Sequence, residues 1–561
     1  MKSNFFRWIK DWKNQKNYVS WLWQYTKPYL PRIIFAMGVD MSTTVITMIM
    51  AVLSKDIIDK ATNGGGIKAA IVLYILFSLA ILGLGFVSQL VSLIVDEKFS
   101  FGIRKQVYEK IINSYWMDIK KYHTGDLMTR LTSDAQSIAD GIIYTLPMIV
   151  RLIFELVLAF FTLFYYQPLL AVFALFMGPV AAGISFIFGK KLKRLTLKVQ
   201  ESESRYRSFM QESLANLLVV KSFGNEEYTT DRLVKLRDER YNWIYKRGKL
   251  SILSQSSMGF MFNLAYLVAF AFGAVSLSVG TITYGVMSLF LTLINRVQAP
   301  IVGLAQQIPK IVSIFASAER VIELEKIKSE VKEKTTIDTA QVGVRVNNLT
   351  FGYDSEKDKV IENVSLDIKP GEFVALIGES GIGKTTLIRL IMSFISNYDG
   401  NVSFYNAAGE STPANAGTRE WLSYVPQGNT LFSGTIRENI TMGKLDATDD
   451  EIIDALKHSA AYDFVMELPN GIDTVIGERG HGISEGQAQR IAIARCLIRK
   501  APFMIFDEAT SSLDSQTEIE VLQGLAAITP KPTCIIITHR LSVLPYCDRQ
   551  ICIKDKKLGD V

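Results

Sequence analysis

The sequence predicts a multi-domain chain whose two parts differ in class: an all-α polytopic membrane domain of six transmembrane helices over residues 33–325, and a soluble α/β domain over residues 342–561. Three observations carry this. Every long apolar run lies before about residue 310, although the whole chain is 49% hydrophobic with a mean hydropathy of +0.20. Beyond residue 341 the pattern alternates like that of a soluble α/β protein. Between the two, KIKSEVKEKTTIDTAQ (326–341) is charged and lacks aromatics, the composition of a linker. A chain of 561 residues is in any case too long for one core.

Residues 1–32 mix Lys, Arg and Trp, with Trp8, Trp12, Trp21 and Trp23 at irregular helical spacing. Indole rings and basic residues both suit the membrane interface, so an interfacial amphipathic elbow is expected there. The segment has no short apolar core followed by a small-residue cleavage site, so no removable signal peptide is expected. No Cys and His pair precedes the first span either, so a built-in leader peptidase is not expected.

Six runs then reach the ~20 apolar residues that a bilayer core requires: roughly 33–54, 69–95, 142–166, 169–189, 257–279 and 283–305. An even count puts both termini on one side. The basic stretch GKKLKRLTLK (189–198) and the basic N-terminal arm assign that side to the cytoplasm, because Lys and Arg resist translocation. Segments 97–140 and 190–250 contain no proline and read as helical extensions reaching roughly 35 to 40 Å beyond the membrane. Thr132 and Asp134 are the candidate caps of a helix returning to the membrane, and Gly125 the residue that permits the turn.

Ionisable residues inside spans are costly, which makes them candidates for substrate contact. Asp40 lies in span one, and Arg151 and Glu155 in span three, spaced i, i+4 so that each can neutralise the other. Span five is rich in Met and Phe around Asn263 and Tyr266, an adaptable wall for apolar ligands.

The net charge of +6 is small and dispersed beside apolar spans, which points away from a nucleic-acid partner. Cys496, Cys534, Cys547 and Cys552 show neither metal-ligand spacing nor a disulfide framework, as in a reducing compartment.

GESGIGKTT (378–386) follows an apolar strand and opens an amphipathic helix, the context required of a phosphate-binding loop. Gly378, Gly381 and Gly383 let backbone N–H groups close around phosphate oxygens, and Ser380 and Thr386 complete the cradle. Lys384 supplies charge to the terminal phosphates, and Thr385 offers a hydroxyl to Mg²⁺. APFMIFDEATSSLD (501–514) ends a second apolar strand in adjacent carboxylates. Asp507 is suited to hold Mg²⁺, partly through water, and Glu508 to polarise an attacking water.

Between these motifs lies ISEGQ (483–487), followed by a helix. With it the soluble half resembles an ATP-binding cassette (ABC) domain, and nearly the whole chain resembles a six-span ABC exporter half-transporter. Ile483, Ser484, Glu485, Gly486 and Gln487 stand where that family has L-S-G-G-Q, with Glu485 replacing a glycine. The resemblance implies that Ser484, Gly486 and Gln487 contact a nucleotide held by the opposing domain. It also implies that Tyr353 stacks on adenine, that Gln427 senses Mg²⁺ and the attacking water, that 511–514 joins two nucleotide sites, and that His539 contacts the γ-phosphate. Thr474, Gly477, Glu478 and Gly480 resemble an exporter loop that touches the membrane domain, and 121–134 and 212–227 resemble its two coupling segments.

The expected function is ATP- and Mg²⁺-dependent export of an amphipathic or hydrophobic lipid, drug or peptide across the cytoplasmic membrane by alternating access. One cassette per chain implies a second half-transporter, most simply an identical one. An ATP-gated channel or regulatory membrane protein on the same scaffold is the alternative, and the intact Glu508, His539 and Gln427 favour turnover.

Overall fold

The structure, a computed structural model, describes residues 20–333, 340–353, 359–379, 381–477, 480, 482–554 and 557–560. Trp8, Trp12, Ser380, Glu478 and part of the 326–341 stretch lie outside these. The chain forms two compact units. One comprises residues up to Glu109 together with Thr124–Glu325; the other comprises Lys110–His123 together with the chain from Lys326 on.

Among the described residues the first unit contains six long helices: α1 (Leu30–Thr62), α2 (Lys68–Ile112, whose last turn passes into the other unit), α3 (Leu146–Tyr166), α4 (Pro168–Ala215), α5 (Glu226–Ser278) and α6 (Tyr284–Glu325). Among the described residues, the helical stretches containing α1, α2, α3, α5 and α6 are long and apolar enough to cross a membrane. Their outward surface is oily: Leu79, Leu82, Phe86 and Leu93 of α2 are all exposed. Such a face is stable only when hydrocarbon is the solvent. At 53 residues α5 is about 80 Å long, far more than the ~30 Å of a bilayer core, so most of it is extension.

Helix α6 is the centre of the unit. Leu289, Phe290, Leu293, Ile294 and Val297 are buried against Ala159 and Leu163 of α3 and Met48 and Ala51 of α1. Its first turn is tied to α1 where the Gly285 N–H donates to Asp59 Oδ1 at 2.8 Å, and a Cβ there would fall 2.3 Å from the Lys55 carbonyl. At its other end Glu325 accepts from Trp21 Nε1 at 2.6 Å and from the Tyr25 hydroxyl at 2.5 Å. The α4 and α5 extensions are paired through Arg240 with Glu203 and Arg205 with Glu239.

The turn back toward α3 differs from the sequence expectation. The chain reverses over Lys120–His123, and helix resumes at Thr124 with Gly125 inside it. Neither Thr132 nor Asp134 is a cap, because both lie within continuous helix. Thr132 donates to the Met128 carbonyl at 2.7 Å, and buried Asp134 accepts from Ser317 Oγ at 2.8 Å and Arg320 Nε at 2.7 Å on α6.

In the second unit, near-continuous apolar strands form a mixed sheet in the order Lys557–Asp560, Arg549–Lys554, Phe373–Gly378, Thr533–Ile537, Phe503–Asp507, Leu422–Val425. Its four central pairings are parallel and helices cover it, which is why Phe503, Ile505 and Ile535 are buried. Ile537 is in register with both Leu376 and Asp507, so three strands end at one edge. An antiparallel sheet led by Val342–Phe351 packs its buried face into the same core.

Lys110–His123, although it lies in sequence between α2 and α3, is part of this unit. Ser114 pairs with Ser329, and the Glu330 N–H donates to the Asn113 carbonyl at 2.8 Å. Trp116 packs on Phe394 with ring centroids 5.9 Å apart, and the Arg389 guanidinium lies 5.2 Å from the Trp116 ring. The stretch that enters the soluble domain is thus 110–123 rather than 121–134: a large aromatic and Met117 give it an apolar surface, whereas Arg130 and Asp134 are committed to α6. At 212–227 the short helix Leu217–Ser222 and its flanks leave Leu214, Leu218 and Phe223 exposed.

Candidate active site

The common strand edge gathers the phosphate chemistry. Gly378, Gly381 and Gly383 take φ of 151°, 83° and 112°, values that side chains disfavour. The loop then enters the helix Lys384–Ile391. Lys384 Nζ donates to the Gly378 and Glu379 carbonyls at 2.6 and 3.0 Å, and lies 3.1 Å from His539 Nε2. Burial pulls the Lys384 ammonium below its ordinary range, while Glu508 and Asp507 pull the other way.

Asp507 is buried at the end of its strand. It accepts from Tyr424 at 3.2 Å and has a long 3.4 Å contact with Thr385 Oγ1. Burial raises its carboxyl above the usual carboxylate range despite these two donors. Burial and the Asp507 charge together push the Tyr424 phenol up, so it stays a donor.

Glu508 has φ of +52°, a left-handed conformation costly for a side chain, and its N–H is held by the Ile537 carbonyl at 3.0 Å. That turn aims its carboxylate away from Asp507: Gln427 Nε2 donates to one oxygen at 2.6 Å, and His539 Nε2 stands 3.3 Å from the other. The His539 nitrogen therefore either accepts from Lys384 or, protonated, donates to Glu508. Four of the residues singled out in the sequence, Gln427, Glu508, His539 and Lys384, form one connected chain of contacts. Asp507 joins Thr385, the next residue, and Thr386 touches the Tyr353 hydroxyl at 3.2 Å.

The ISEGQ segment is a helix start. The Ser484 side chain accepts from the Gln487 N–H at 3.2 Å and Gln487 Oε1 accepts from the Ser484 N–H at 2.8 Å, a reciprocal capping box on the helix Glu485–Leu497. A Cβ on Gly486 would sit 2.9 Å from the Ser512 carbonyl, whereas Glu485 points outward and is exposed. Among the described residues no hydrogen bond joins Ser484, Gly486 or Gln487 to the phosphate loop of the same chain.

Sequence reasoning missed three residues here. Arg540 donates to the Ser511 and Leu513 carbonyls at 2.7 and 2.8 Å, and Gln489 bonds Ser511 Oγ and the Ser512 N–H, both at 3.1 Å. These fasten the 511–514 loop to the His539 strand end and to the ISEGQ helix. Arg389 donates to the Tyr353 hydroxyl at 3.3 Å while lying over Trp116. An arginine directly after His539 and a glutamine inside an alanine-rich helix were the available signals.

In the membrane unit, Asp40 and Arg151 line one cavity of about 300 Å³. Glu155, Asn263 and Tyr266 do not line it. Arg151 and Glu155 are not partners: Glu155 lies 3.8 Å from Arg296 on α6, which approaches from the side where α3 packs, and no ion pair joins it to Arg151 among the described residues.

Residues 33–301 match the ABC transporter transmembrane region and residues 361–511 the ABC transporter family. A putative ABC transporter ATP-binding protein of Mycoplasma pneumoniae is 30% identical, over 81% of this chain and 73% of its own length. An ATP-dependent lipid A-core flippase of Syntrophus aciditrophicus is 28% identical, over 94% of this chain and 88% of its own. The solved structure of a bacterial Atm1-family ABC exporter with ATP bound superposes with a TM-score of 0.81 at 25% identity, covering 94% of this chain and 95% of that one. The chain therefore belongs to the ABC transporter family, as a multi-pass half-transporter whose membrane region is fused to one nucleotide-binding, transport-coupled ATPase domain.

Proposed function

We propose that this half-transporter exports an amphipathic or hydrophobic substrate across the cytoplasmic membrane, as a dimer in which two nucleotide domains clamp two ATP molecules. The observation that carries the proposal is the joining of Lys110–His123 to the nucleotide domain: a loop between two membrane helices is packed through Trp116 onto the helix that starts with Lys384. Any movement of that helix on nucleotide binding is handed to α2 and to the helix returning toward α3.

In this reading Lys384 and the loop glycines hold the β- and γ-phosphates, Thr385 and Asp507 hold Mg²⁺ with Gln427 through water, and Tyr353 receives the adenine. Mg²⁺, when bound, neutralises charge developing on the transferred phosphoryl group. Glu508, aimed by its left-handed backbone and held by Gln427, orients and deprotonates the attacking water; His539 donates toward the γ-phosphate. The ISEGQ helix start of the second chain closes the site, as its outward-facing Ser484 N-cap and the self-contained capping box support. The exposed Leu218 and Phe223 support docking of the 212–227 turn on the partner chain. Both termini are cytoplasmic. The Syntrophus relative, by its name a lipid A-core flippase, supports a lipid-like substrate.

The test is Glu508→Gln in reconstituted protein. Hydrolysis is expected to fall by about 10²- to 10⁴-fold, the contribution of a general base, with ATP binding retained and transport abolished. Transport or an ion current that persists in this variant would replace the exporter reading with a gated channel.

A further inference from the structure

Glu508 keeps a left-handed backbone, a conformation that persists in a residue with a side chain only where the surroundings over-determine it. The stretch from Ile537 to Arg540 supplies most of that hold. The Ile537 carbonyl fixes the Glu508 N–H at 3.0 Å, and His539 Nε2 stands 3.3 Å from the carboxylate. The loop beyond is two linked turns: the Ser511 N–H donates to the Glu508 carbonyl and the Leu513 N–H to the Thr510 carbonyl, both at 3.1 Å. Arg540 closes them. Its Nη2 donates to the Ser511 carbonyl at 2.7 Å and its Nη1 to the Leu513 carbonyl at 2.8 Å, a fork across the loop that begins at Glu508.

The fork is anchored from behind. Glu518, on the helix Ser515–Ala526, is 1% exposed, and its Oε2 lies 3.4 Å from Arg540 Nη1. Ser542 Oγ donates to the same oxygen at 2.5 Å, while Oε1 has no hydrogen-bond partner. Among the described residues Arg540 is the cation that faces this carboxylate. Stranding a buried carboxylate is costly, so Glu518 keeps the guanidinium seated between itself and the loop carbonyls. The Arg540 N–H donates to Thr538 Oγ1 at 2.9 Å, which fixes where the side chain departs. Among the described residues neither Arg540 nor Glu518 bonds the phosphate loop or the Glu508 carboxylate, so any effect they have on the chemistry passes through the backbone.

Resting on Glu508 as the base, we propose that Arg540, seated by Glu518, is a positioning residue for hydrolysis: its fork on the Ser511 and Leu513 carbonyls holds the Glu508 turn and with it the aim of the carboxylate. A guanidinium suits the task because it presents parallel donors in one plane, whereas an ammonium carries the same charge as a single point. Without the fork Glu508 relaxes toward an ordinary backbone, and its carboxylate leaves Gln427 and His539. ATP is held by other groups, so the effect falls on turnover rather than on affinity.

The test is Arg540→Lys in the full-length protein, which preserves the pairing with Glu518 but not the fork. In nucleotide-free protein, amide exchange over 508–513 is expected to speed up about tenfold or more, while the strand Phe503–Asp507 exchanges as before. In proteoliposomes kcat is expected to fall about 10- to 100-fold with KM for ATP within about twofold. Added to Glu508→Gln, the substitution lowers residual hydrolysis by less than about twofold, because a residue that acts through Glu508 has nothing left to act on. Glu518→Gln, which keeps an acceptor for Ser542 and removes the charge, is expected to move exchange and kcat in the same directions by about threefold or more. Wild-type exchange in Arg540→Lys, a change confined to KM, or an undiminished loss in the Glu508→Gln background overturns the proposal, as does faster exchange throughout the domain, which marks a merely structural role. Wild-type behaviour of Glu518→Gln overturns the part assigned to that carboxylate. Should Glu508→Gln hydrolyse ATP like the wild type, the base reading falls, and the exchange measurement still decides whether Arg540 holds the turn.

Discussion

Asp507 illustrates a conflict between folding and chemistry at one residue. Its carboxyl is raised by burial, so near neutral pH the ionised form, the one that the proposed Mg²⁺ role requires, is less stable in the folded domain than in the unfolded chain. An acid raised on folding costs stability that grows as pH rises above the ordinary carboxylate range and disappears below it. Asp507→Asn is therefore expected to raise the apparent Tm of nucleotide-free protein, by on the order of 2–4 °C, and by more at pH 8 than at pH 5. The same variant loses the Mg²⁺-dependent part of the rise in Tm that ATP induces. Thermal scans at two pH values with and without Mg-ATP check both; a lower Tm at pH 8 would refute the argument. Residues of this kind were legible in the sequence because each motif is a short contiguous string at the end of an apolar strand. Arg540 and Gln489 were not, because what they bind is the backbone of a loop more than 20 residues away, which leaves no local pattern.

At the scale of elements, the short helix Trp116–Ile119 is the joint to test. Its indole lies under Arg389, which also holds the hydroxyl of Tyr353, the residue proposed to receive adenine, so that residue and the membrane-helix loop meet on one guanidinium. Trp116→Ala removes a cation–π contact worth about 0.5–2 kcal/mol and leaves the phosphate loop untouched. Basal hydrolysis is expected to stay within about twofold, while substrate moved per ATP falls by about 5- to 150-fold, the usual range of coupling between sites. A parallel fall in both quantities would show that the contact only stabilises the fold. The helices themselves were legible from hydropathy, since the length of an apolar run needs no tertiary information. Which stretch of a hairpin enters a neighbouring domain was not, and neither was the partner of Glu155. In both cases a residue from a distant helix, Arg320 for Asp134 and Arg296 for Glu155, outcompeted the nearest neighbour in sequence.

For the whole molecule, the reading that each ATP lies between the phosphate loop of one chain and the ISEGQ helix of another makes a prediction about mixtures. Lys384→Ala spoils one half of a site, and Gly486→Asp, whose new side chain would strike the Ser512 carbonyl, spoils the other. Neither variant alone should trap nucleotide. Co-purified as a mixed dimer, they contain one site with both halves intact, and trapping should return; a mixture as inert as its parents would refute composite sites. The division into a membrane part and a nucleotide part was legible from composition, but the interleaving of the two units along the chain was not, because composition has no term for a 14-residue excursion. That interleaving also bears on biogenesis. Trp116 leaves the ribosome some 280 residues before Phe394, the ring it packs on, and at about 5–20 residues per second it waits roughly 15 to 55 s for that partner. During this interval the newborn hairpin presents an unshielded indole, so its ordering waits on the synthesis of the later-made domain, and the step most sensitive to chaperone supply is the docking of this early-made loop onto that domain.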